Sequence, residues 1–258
     1  MSILTTQDDF FRQIKAEGQV DGIPTGYKEI DMRTGGFRKG RLYILGGRPA
    51  MGTTTLAIQM ILNVLVKGKK VVVFSQEMSA ELFARKIIAV LSERQDLNFD
   101  VDDKFEAAKE WLSSKELVID DDAGIPASAI RDSITENADL IVIDCVEIMS
   151  TEAGKTDEPR AGRLKDLLHE IKMVLEDKNV AILGTVHAGK ECELTEDKRP
   201  RLVDICGCTN PATDVVMGLY RESYYEQSED STTAEVVFLH NRDGARGVAE
   251  IEFGLQDA

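Results

Sequence analysis

Short apolar runs alternate with helix-length amphipathic segments along most of this chain, and this alternation limits the possible folds more than any other feature. The apolar runs of strand length read RLYILGG, KVVVFS, ELVID, ADLIVID and VAILGTV. The periodicity predicts helices at about 53–66, 79–93, 127–137 and 161–178. Apolar runs that alternate with helices are typical of parallel strands buried on both faces. We therefore predict an α/β fold with a doubly wound, mostly parallel sheet flanked by helices.

The C-terminal part of the chain changes character. It contains three strand-like segments with turn-rich loops and no helix-length segment between them, DVVMGLYRE, AEVVFLHNR and GVAEIEF. Segments joined in this way usually pair as antiparallel strands. We expect them to extend one edge of the sheet.

The N-terminal end is the other exception to the alternation. Residues 7–17 have the spacing of a short amphipathic helix, and Gly18 ends it. Such a segment is either a frayed terminus or a linker helix that docks on a neighbouring subunit. We divide the chain into a linker helix at 1–20 and one domain at 21–258, because a chain of 258 residues can bury a sizeable single core.

Composition and charge exclude several classes of protein. No apolar run approaches the roughly 20 residues that span a bilayer, and the first residues lack the pattern of a secretory signal, so we predict a cytoplasmic protein. The formal net charge of -15 argues against a protein that coats nucleic acid indiscriminately, although it permits a local basic path. Without a C-x-x-C pair, we interpret all the cysteines as reduced thiols: Cys145, Cys192, Cys206 and Cys208.

The segment GGRPAMGTTTLA, at 46–57, has the shape of a phosphate-binding loop between a strand and a helix. Backbone amides and the positive end of the helix dipole attract an anion there without any side chain. The pattern G-x-x-x-x-G-K-[ST] adds a lysine for the β- and γ-phosphates and a hydroxyl for Mg²⁺. Gly47, Gly52 and Thr54 fit this pattern, whereas Thr53 stands in place of the lysine. The alternative is a glycine-rich turn without a ligand.

Two acidic residues follow other apolar runs. Asp144 closes DLIVID, where a carboxylate can hold Mg²⁺ beside the loop through water. Glu77 follows VVVFSQ, at the end of a strand that we expect to be adjacent, where it can orient a water molecule against a γ-phosphate. Either acid alone would be interpreted as a helix cap or a solvated side chain. Together with the loop, they predict a nucleotide site at the carboxyl ends of the strands.

Longer blocks of the sequence resemble the DnaB family of replicative DNA helicases. They are TGYKEIDMRTGGFRKGRLYILGGRPAMG, VVVFSQEMS, LIVIDCVEIM, DKRPRLVDI, VVMGLYRESYY and HNRDGARG. The motifs R-P-x-M-G and S-x-E-M-S favour this family over the related RadA and KaiC groups. The resemblance implies a RecA-like motor domain in a hexameric ring that hydrolyses ATP at subunit interfaces and translocates on single-stranded DNA in replication. It also implies other replisome proteins as partners, but we expect no counterpart of the amino-terminal domain that contacts primase.

The resemblance also assigns roles by position. Thr54 and Asp144 would hold Mg²⁺, Glu77 would polarise the attacking water, and Arg242 would reach a neighbour's γ-phosphate as an arginine finger. His187 takes the place of a family glutamine and is a further candidate catalytic residue. ATP would be held by the loop residues Gly47, Arg48, Pro49, Ala50, Met51, Gly52, Thr53, Thr54 and Thr55.

Departures from the family pattern predict weak catalysis. Besides Thr53 and His187, His240 replaces a lysine, and the segment associated with gripping DNA, DLRESG in the family, reads DICGCT at 204–209. An ammonium about 4 Å from a phosphate oxygen contributes on the order of 4 kcal/mol at an effective dielectric constant near 20. Its loss from the transition state lowers the rate roughly a thousandfold. We predict weakened nucleotide binding and slow or absent hydrolysis, unless Arg48 or Lys190 supplies a compensating cation.

Two other functions stay open on the sequence alone. One is a catalytically inactive helicase paralogue that binds nucleotide and joins or regulates a helicase ring, and the other is a RadA-like recombination ATPase. A group of tyrosines could approach the adenine or pack on the sheet: Tyr220, Tyr224 and Tyr225. A group of basic residues could line a DNA channel or form a solvated face: Lys155, Arg160, Arg163, Lys165, Lys198, Arg199 and Arg201.

Overall fold

The computed structural model describes residues 21–94, 104–133, 138–152, 159–205, 211–226 and 232–254. The helices in these ranges are α1 (Lys28–Thr34), α2 (Thr53–Val66), α3 (Ala80–Ser92), α4 (Lys104–Ser113), α5 (Ala127–Ser133) and α6 (Arg160–Lys178). The strands are β1 (Leu42–Gly47), β2 (Val71–Ser75), β3 (Leu117–Asp120), β4 (Leu140–Asp144), β5 (Ala181–His187), β6 (Val215–Tyr220), β7 (Thr233–Asn241) and β8 (Gly247–Glu252). Short 3-10 helices occupy Val146–Ile148, Lys190–Leu194 and Glu222–Tyr224.

Within the described ranges, the strands form one eight-stranded sheet in the order β3-β2-β4-β5-β1-β6-β7-β8. Neighbouring strands from β3 to β6 are parallel, whereas β7 runs antiparallel to both β6 and β8. The predicted doubly wound sheet with antiparallel C-terminal edge strands is therefore confirmed.

Helices cover both faces of the sheet, because alternate residues of each central strand point to opposite sides. On one face, Tyr43 and Leu45 of β1 belong to a core that includes buried residues of α1, α2, α3 and α4. On the other face, Leu42 and Ile44 belong to a core formed with α5 and α6. Both faces of β1 are therefore buried, which explains the unbroken apolar run in its sequence. None of the helices described is long and apolar enough to cross a membrane.

The predicted helix boundaries agree closely with those observed, and local contacts explain them. Helix α2 has the predicted bounds. Helix α3 begins one residue later than predicted because the Ser79 hydroxyl accepts a hydrogen bond from the Leu82 N–H and caps the helix. Helix α6 ends where Asn179 adopts the left-handed conformation, with φ 47° and ψ 51°. The predicted helix at 127–137 is observed as α5, and residues 134–137 lie outside the described ranges.

Other features differ from the prediction or fall outside the described residues. Helices α1 and α4 were not predicted. Strand β3 lies at the edge of the sheet and is only half-buried, unlike the other parallel strands. The predicted linker helix at 7–17 lies outside the described residues, so the division at residue 20 stays a prediction. Cys145 and Cys192 are buried free thiols.

Candidate nucleotide-binding site

The candidate residues converge on the carboxyl edge of the sheet, where β1, β5, β4 and β2 lie side by side. Gly47 pairs with His187 across β1 and β5, and Ser75 pairs with Asp144 across β2 and β4. The backbone N–H of Glu77 donates to the Asp144 carbonyl at 3.3 Å. The strands that carry the two acids are thus adjacent, as expected. Ligands of open α/β sheets bind at this edge.

The loop between β1 and α2 is a tight turn with left-handed backbone at two positions. Ala50 has φ 62° and Gly52 has φ 100°. A Cβ atom on Gly47 would lie 2.8 Å from Cγ2 of Thr53, so a larger residue would displace that side chain. The first amides of a helix have no intrahelical partner, and in α2 they belong to residues 53–55. These amides can bind an anion at the mouth of the turn.

Arg221 fixes this turn and was not predicted from the sequence. It follows β6, which pairs with β1, and its Nε donates to the Met51 carbonyl at 2.9 Å. Its Nη2 donates to the Ala50 carbonyl at 3.1 Å. Met51 is buried, whereas Pro49 and Ala50 are exposed. Arg221 therefore positions the loop through its carbonyls and leaves the amides available.

Arg48, one of the proposed compensating cations, is paired with an acid. Its Nε donates to Glu193 Oε1 at 2.9 Å, and its Nη1 donates to the Ala188 carbonyl at 2.7 Å. The Tyr225 hydroxyl donates to the same Glu193 oxygen at 3.1 Å. The charge of Arg48 is therefore offset before any phosphate binds. The other proposed cation, Lys190, is exposed on the 3-10 helix that follows β5.

Asp144 has the surroundings of a metal-binding carboxylate. It is 1% exposed, and its hydrogen-bond partners are the Thr54 hydroxyl, 3.2 Å from both carboxylate oxygens, and the Thr185 hydroxyl. Burial raises the pKa of Asp144; the Thr185 and Thr54 hydroxyls oppose this shift, and the nearby charge of Glu77 adds to it. A buried carboxylate bonded to neutral hydroxyls can be balanced by a cation. The oxygens of Thr54 and Asp144 are the ligand type that Mg²⁺ prefers.

His187 belongs to a second polar cluster at the same edge, together with Cys145 and Glu147. His187 Nδ1 lies 3.8 Å from Cys145 Sγ and 3.8 Å from Glu147 Oε2, the latter an ion-pair rather than a hydrogen-bond distance. The contact with Cys145, and to a smaller extent the contact with Glu147, raises the pKa of His187 to about 10, although partial burial acts to lower it. For Glu147, burial acts to raise the pKa, but the nearby His187 side chain, the His187 backbone N–H and Arg160 together outweigh it and hold the pKa below its ordinary value.

Arg242 lies at the opposite, amino edge of the sheet. It follows Asn241, which pairs with Val215 at the start of β6, and Val215 pairs with Tyr43 near the start of β1. The strand between Tyr43 and Gly47 is about 13 Å long. Arg242 is therefore remote from the phosphate loop of its own chain, and the structure does not bring it together with the other predicted site residues.

Asp214 holds together several residues at this amino edge, and it was not predicted from the sequence. Its fully buried carboxylate accepts from Lys172 Nζ at 2.9 Å and from Arg41 Nη1 at 3.1 Å, and it lies 3.3 Å from Arg242 Nη1. It also accepts the Leu42 N–H at 2.9 Å. Arg242 is thereby attached to the base of the sheet.

The tyrosine group lies beside the loop but is bonded into the surrounding structure. Tyr220, at the carboxyl end of β6, stacks on Tyr225 with ring centroids 5.8 Å apart, and Tyr224 contacts the edge of Tyr225. The Arg199 guanidinium lies 4.8 Å from the centroid of Tyr220 and pairs with Glu235. These contacts favour a packing role for the tyrosines.

The basic residues proposed to line a DNA channel are partly paired with acids. Arg160 pairs with Glu147, and Arg201 pairs with Asp204. Lys155 and residues 206–209 of the DNA-gripping segment lie outside the described ranges. Two of the described residues proposed for a DNA channel thus form ion pairs within the chain, and the channel stays a prediction.

The sheet order, with a glycine-rich turn and acidic side chains at its carboxyl edge, defines a RecA-like α/β domain with a candidate nucleotide site. The family model of the DnaB-like helicase C terminal domain matches residues 22–257. The chain belongs to this family.

Relatives agree with this membership. The replicative DNA helicase DnaC of Bacillus subtilis (strain 168) is 28% identical over 267 aligned residues, which cover 97% of this chain and 59% of the relative. The replicative DNA helicase DnaB of Helicobacter pylori (strain 26695) is 32% identical over 235 residues, which cover 85% of this chain and 48% of the relative. The chain thus spans only about half the length of these curated relatives.

Solved structures show the same fold. The ATPase domain of G40P superposes with a TM-score of 0.83 at 23% identity, covering 96% of this chain and 93% of that one. A DnaB-like replicative helicase, studied with its interactions with primase, gives a TM-score of 0.82 at 23% identity, covering 97% of this chain and 64% of that one. The RadB recombinase gives a TM-score of 0.58 at 20% identity, and the match covers 88% of this chain and 94% of the recombinase. The family match, more than the fold, decides against the RadA-like alternative.

Proposed function

We propose that this domain binds ATP with Mg²⁺ at the carboxyl edge of the sheet, hydrolyses it slowly, and acts as the motor part of a replicative DNA helicase. The observation that carries nucleotide binding is the contact of Thr54 with the buried Asp144 carboxylate at the mouth of the left-handed turn. Family membership supports the helicase assignment, because the B. subtilis and H. pylori relatives are replicative DNA helicases.

The amides of residues 53–55 and the dipole of α2 would bind the phosphates. These groups do not depend on the missing lysine, so triphosphate binding persists in a weakened form. Gly47 and Gly52 allow the close backbone approach that such binding needs. Arg221 holds the loop in place through the carbonyls of Ala50 and Met51.

Thr54 and Asp144 would hold Mg²⁺, which neutralises developing phosphate charge when bound. Glu77 is exposed at the same edge, and its backbone is hydrogen-bonded to Asp144. It would orient the attacking water and accept its proton. His187, whose strand partner is Gly47, would lie beside the bound phosphates.

Thr53 limits the chemical step. A lysine at this position would stabilise the γ-phosphate charge by on the order of 4 kcal/mol, which corresponds to roughly a thousandfold in rate. Arg48 is a poor substitute because Glu193 already offsets its charge. Slow turnover with preserved binding is the result that this geometry favours.

Arg242 supports assembly into a ring. It cannot reach the loop of its own chain, so it would act as an arginine finger only on the loop of a neighbouring copy. A hexameric ring on single-stranded DNA, other replisome proteins as partners and a cytoplasmic location rest on the family resemblance of the sequence and stay predictions.

The first test compares nucleotide binding with turnover on one preparation. Wild-type protein should bind a non-hydrolysable ATP analogue with Mg²⁺ in calorimetry and show little steady-state hydrolysis with or without single-stranded DNA. Thr53→Lys should raise turnover by up to roughly a thousandfold, whereas the matched control Thr53→Ala should not. Wild-type turnover within a few fold of an intact helicase, or no gain in Thr53→Lys, would contradict the proposed role of Thr53.

Two features together favour a second function. Arg48 is paired with Glu193, and Thr53 replaces the lysine of the loop pattern. In this alternative, the domain is an inactive paralogue that binds nucleotide to stabilise or regulate a helicase ring. It predicts tight nucleotide binding, oligomers that depend on nucleotide, and no hydrolysis even in Thr53→Lys. The two functions therefore differ in the turnover of that variant.

A further inference from the structure

Three side chains with different ligand atoms lie together beside the phosphate loop. Cys145 Sγ, a Glu147 carboxylate oxygen and a His187 nitrogen all lie within 4.8 Å of one another. Cys145 and Glu147 directly follow β4, and His187 ends the adjacent β5. We propose that these residues bind a divalent transition metal ion with the preferences of Zn²⁺, separately from the Mg²⁺ ligands Thr54 and Asp144.

The distances suit a small tetrahedral ion. Zinc bonds of about 2.0–2.3 Å to nitrogen, oxygen and sulfur place pairs of ligand atoms about 3.3–3.6 Å apart. The Nδ1 atom of His187 lies 3.8 Å from both Cys145 Sγ and Glu147 Oε2. The distance from Cys145 Sγ to the Glu147 carboxylate is at most 4.8 Å, so metal binding would require side-chain rotations that shorten all three separations. The backbone of His187 is fixed by the pairing of β5 with β1.

The donor set selects the type of metal. A thiolate and an imidazole favour zinc and similar ions, whereas Mg²⁺ and Ca²⁺ take oxygen ligands. Thr54 and Asp144 offer only oxygen atoms. The two neighbouring groups therefore suit different cations, and the sulfur of Cys145 distinguishes them experimentally.

The surroundings orient the ligands as outer-sphere groups do in metal sites. The Glu147 carboxylate accepts from Arg160 Nε at 3.1 Å and from the backbone N–H of His187 at 2.7 Å. Cys145 is 2% exposed, whereas the His187 side chain is 36% exposed. Three protein ligands leave a fourth position, which the exposure of His187 places on the solvent side of the edge.

A bound ion would add positive charge beside Gly47, where the loop lacks a lysine. This consequence rests on the proposed function, but the metal site itself does not. Without a metal, the same three groups would only form a polar cluster at this edge of the sheet.

The test uses the full chain, reduced and freed of metal with a chelator, in the absence of nucleotide. Titration with Co²⁺ should reach one equivalent and give a thiolate-to-cobalt charge-transfer band, and Zn²⁺ should displace it. Cys145→Ser should abolish the band, and His187→Gln should weaken Co²⁺ binding by more than the roughly tenfold that the loss of an outer-sphere group costs. Controls with other thiols removed, Cys192→Ser and Cys206→Ser with Cys208→Ser, should keep the band.

Absence of a stoichiometric charge-transfer band in wild-type protein overturns the site, as does a band that Cys145→Ser leaves intact. Circular dichroism of each variant establishes that loss of metal is not loss of fold. If Cys145→Ser does not fold, the His187→Gln result decides. Because the spectra need no ATP, failure of the metal site and failure of the proposed nucleotide site give different results.

Discussion

Asp214 shows how one residue organises an edge of this molecule. Its carboxylate has no exposed surface and is shared by Arg41, Lys172 and Arg242, while it also accepts a backbone N–H of β1. Removing one member of a buried charge group leaves its partners uncompensated. Arg41 also pairs with Asp243 at 2.6 Å, so the loss of the Asp214 carboxylate would leave mainly Lys172 and Arg242 without their acid.

We expect Asp214→Asn to lower the free energy of unfolding by about 3 kcal/mol, because the volume is kept but the charge is lost. Urea denaturation measures this difference. Glu81→Gln is the matched control, because Glu81 pairs with Arg85 on the surface with 75% of its side chain exposed, and should change stability by no more than about 0.5 kcal/mol. Equal stabilities of the two variants would show that Asp214 is not structurally important.

Some site residues could be predicted from the sequence because their signal is local. Asp144 and Glu77 end apolar runs, and the glycines of the loop precede a helical pattern. Asp214 and Arg221 have no such signal. Their roles depend on partners about 170 positions away in the chain, Arg41 and Met51, and only the strand order brings those partners together.

The helices with strong apolar periodicity could be predicted from the sequence. Helices α2, α3 and α6 bury several apolar residues each, and their bounds agree with the prediction to about one residue. Helix α4 buries only Ala108, and α1 has seven residues, so neither gives a clear pattern. The position of β1 between β5 and β6 results from pairing between distant segments, which no local pattern reports.

The left-handed residue at the end of α6 can be tested by substitution. Asn179 has φ 47° and ψ 51°, and its N–H donates to the Leu175 carbonyl at 2.9 Å. A residue with a Cβ that lacks the side-chain amide pays about 1 kcal/mol in this conformation. We expect Asn179→Ala to destabilise the protein by about that amount in thermal or urea unfolding.

Asn179→Gly is the matched variant, because glycine adopts the left-handed conformation without steric cost. It should be clearly more stable than Asn179→Ala. If the two variants have the same unfolding midpoint, the conformation of residue 179 does not determine where the helix ends.

The acidic residues and the arginine proposed for ATP hydrolysis lie at opposite edges of the one sheet. Glu77 and Asp144 lie at the carboxyl edge, and Arg242 lies at the amino edge. A complete site then needs two copies of the chain. This arrangement leads to a prediction for mixtures of variants.

In a Thr53→Lys background, Glu77→Gln and Arg242→Ala should each be inactive alone. Mixing them before assembly should restore partial activity, because about a quarter of random interfaces combine an intact Glu77 with an intact Arg242. Steady-state ATP hydrolysis as a function of mixing ratio measures this recovery. A mixture no more active than its components would indicate that Arg242 does not act between subunits.

As an arginine finger directly after β7, Arg242 would also restrict the symmetry of the assembly. A contact between the loop of one copy and the arginine of another joins unlike surfaces, so it is heterologous and lacks a two-fold axis. A pair of copies would leave one loop and one arginine unused, and further copies would add until the chain of contacts closed on itself or continued as a helical filament. Every copy in such an assembly faces the same way.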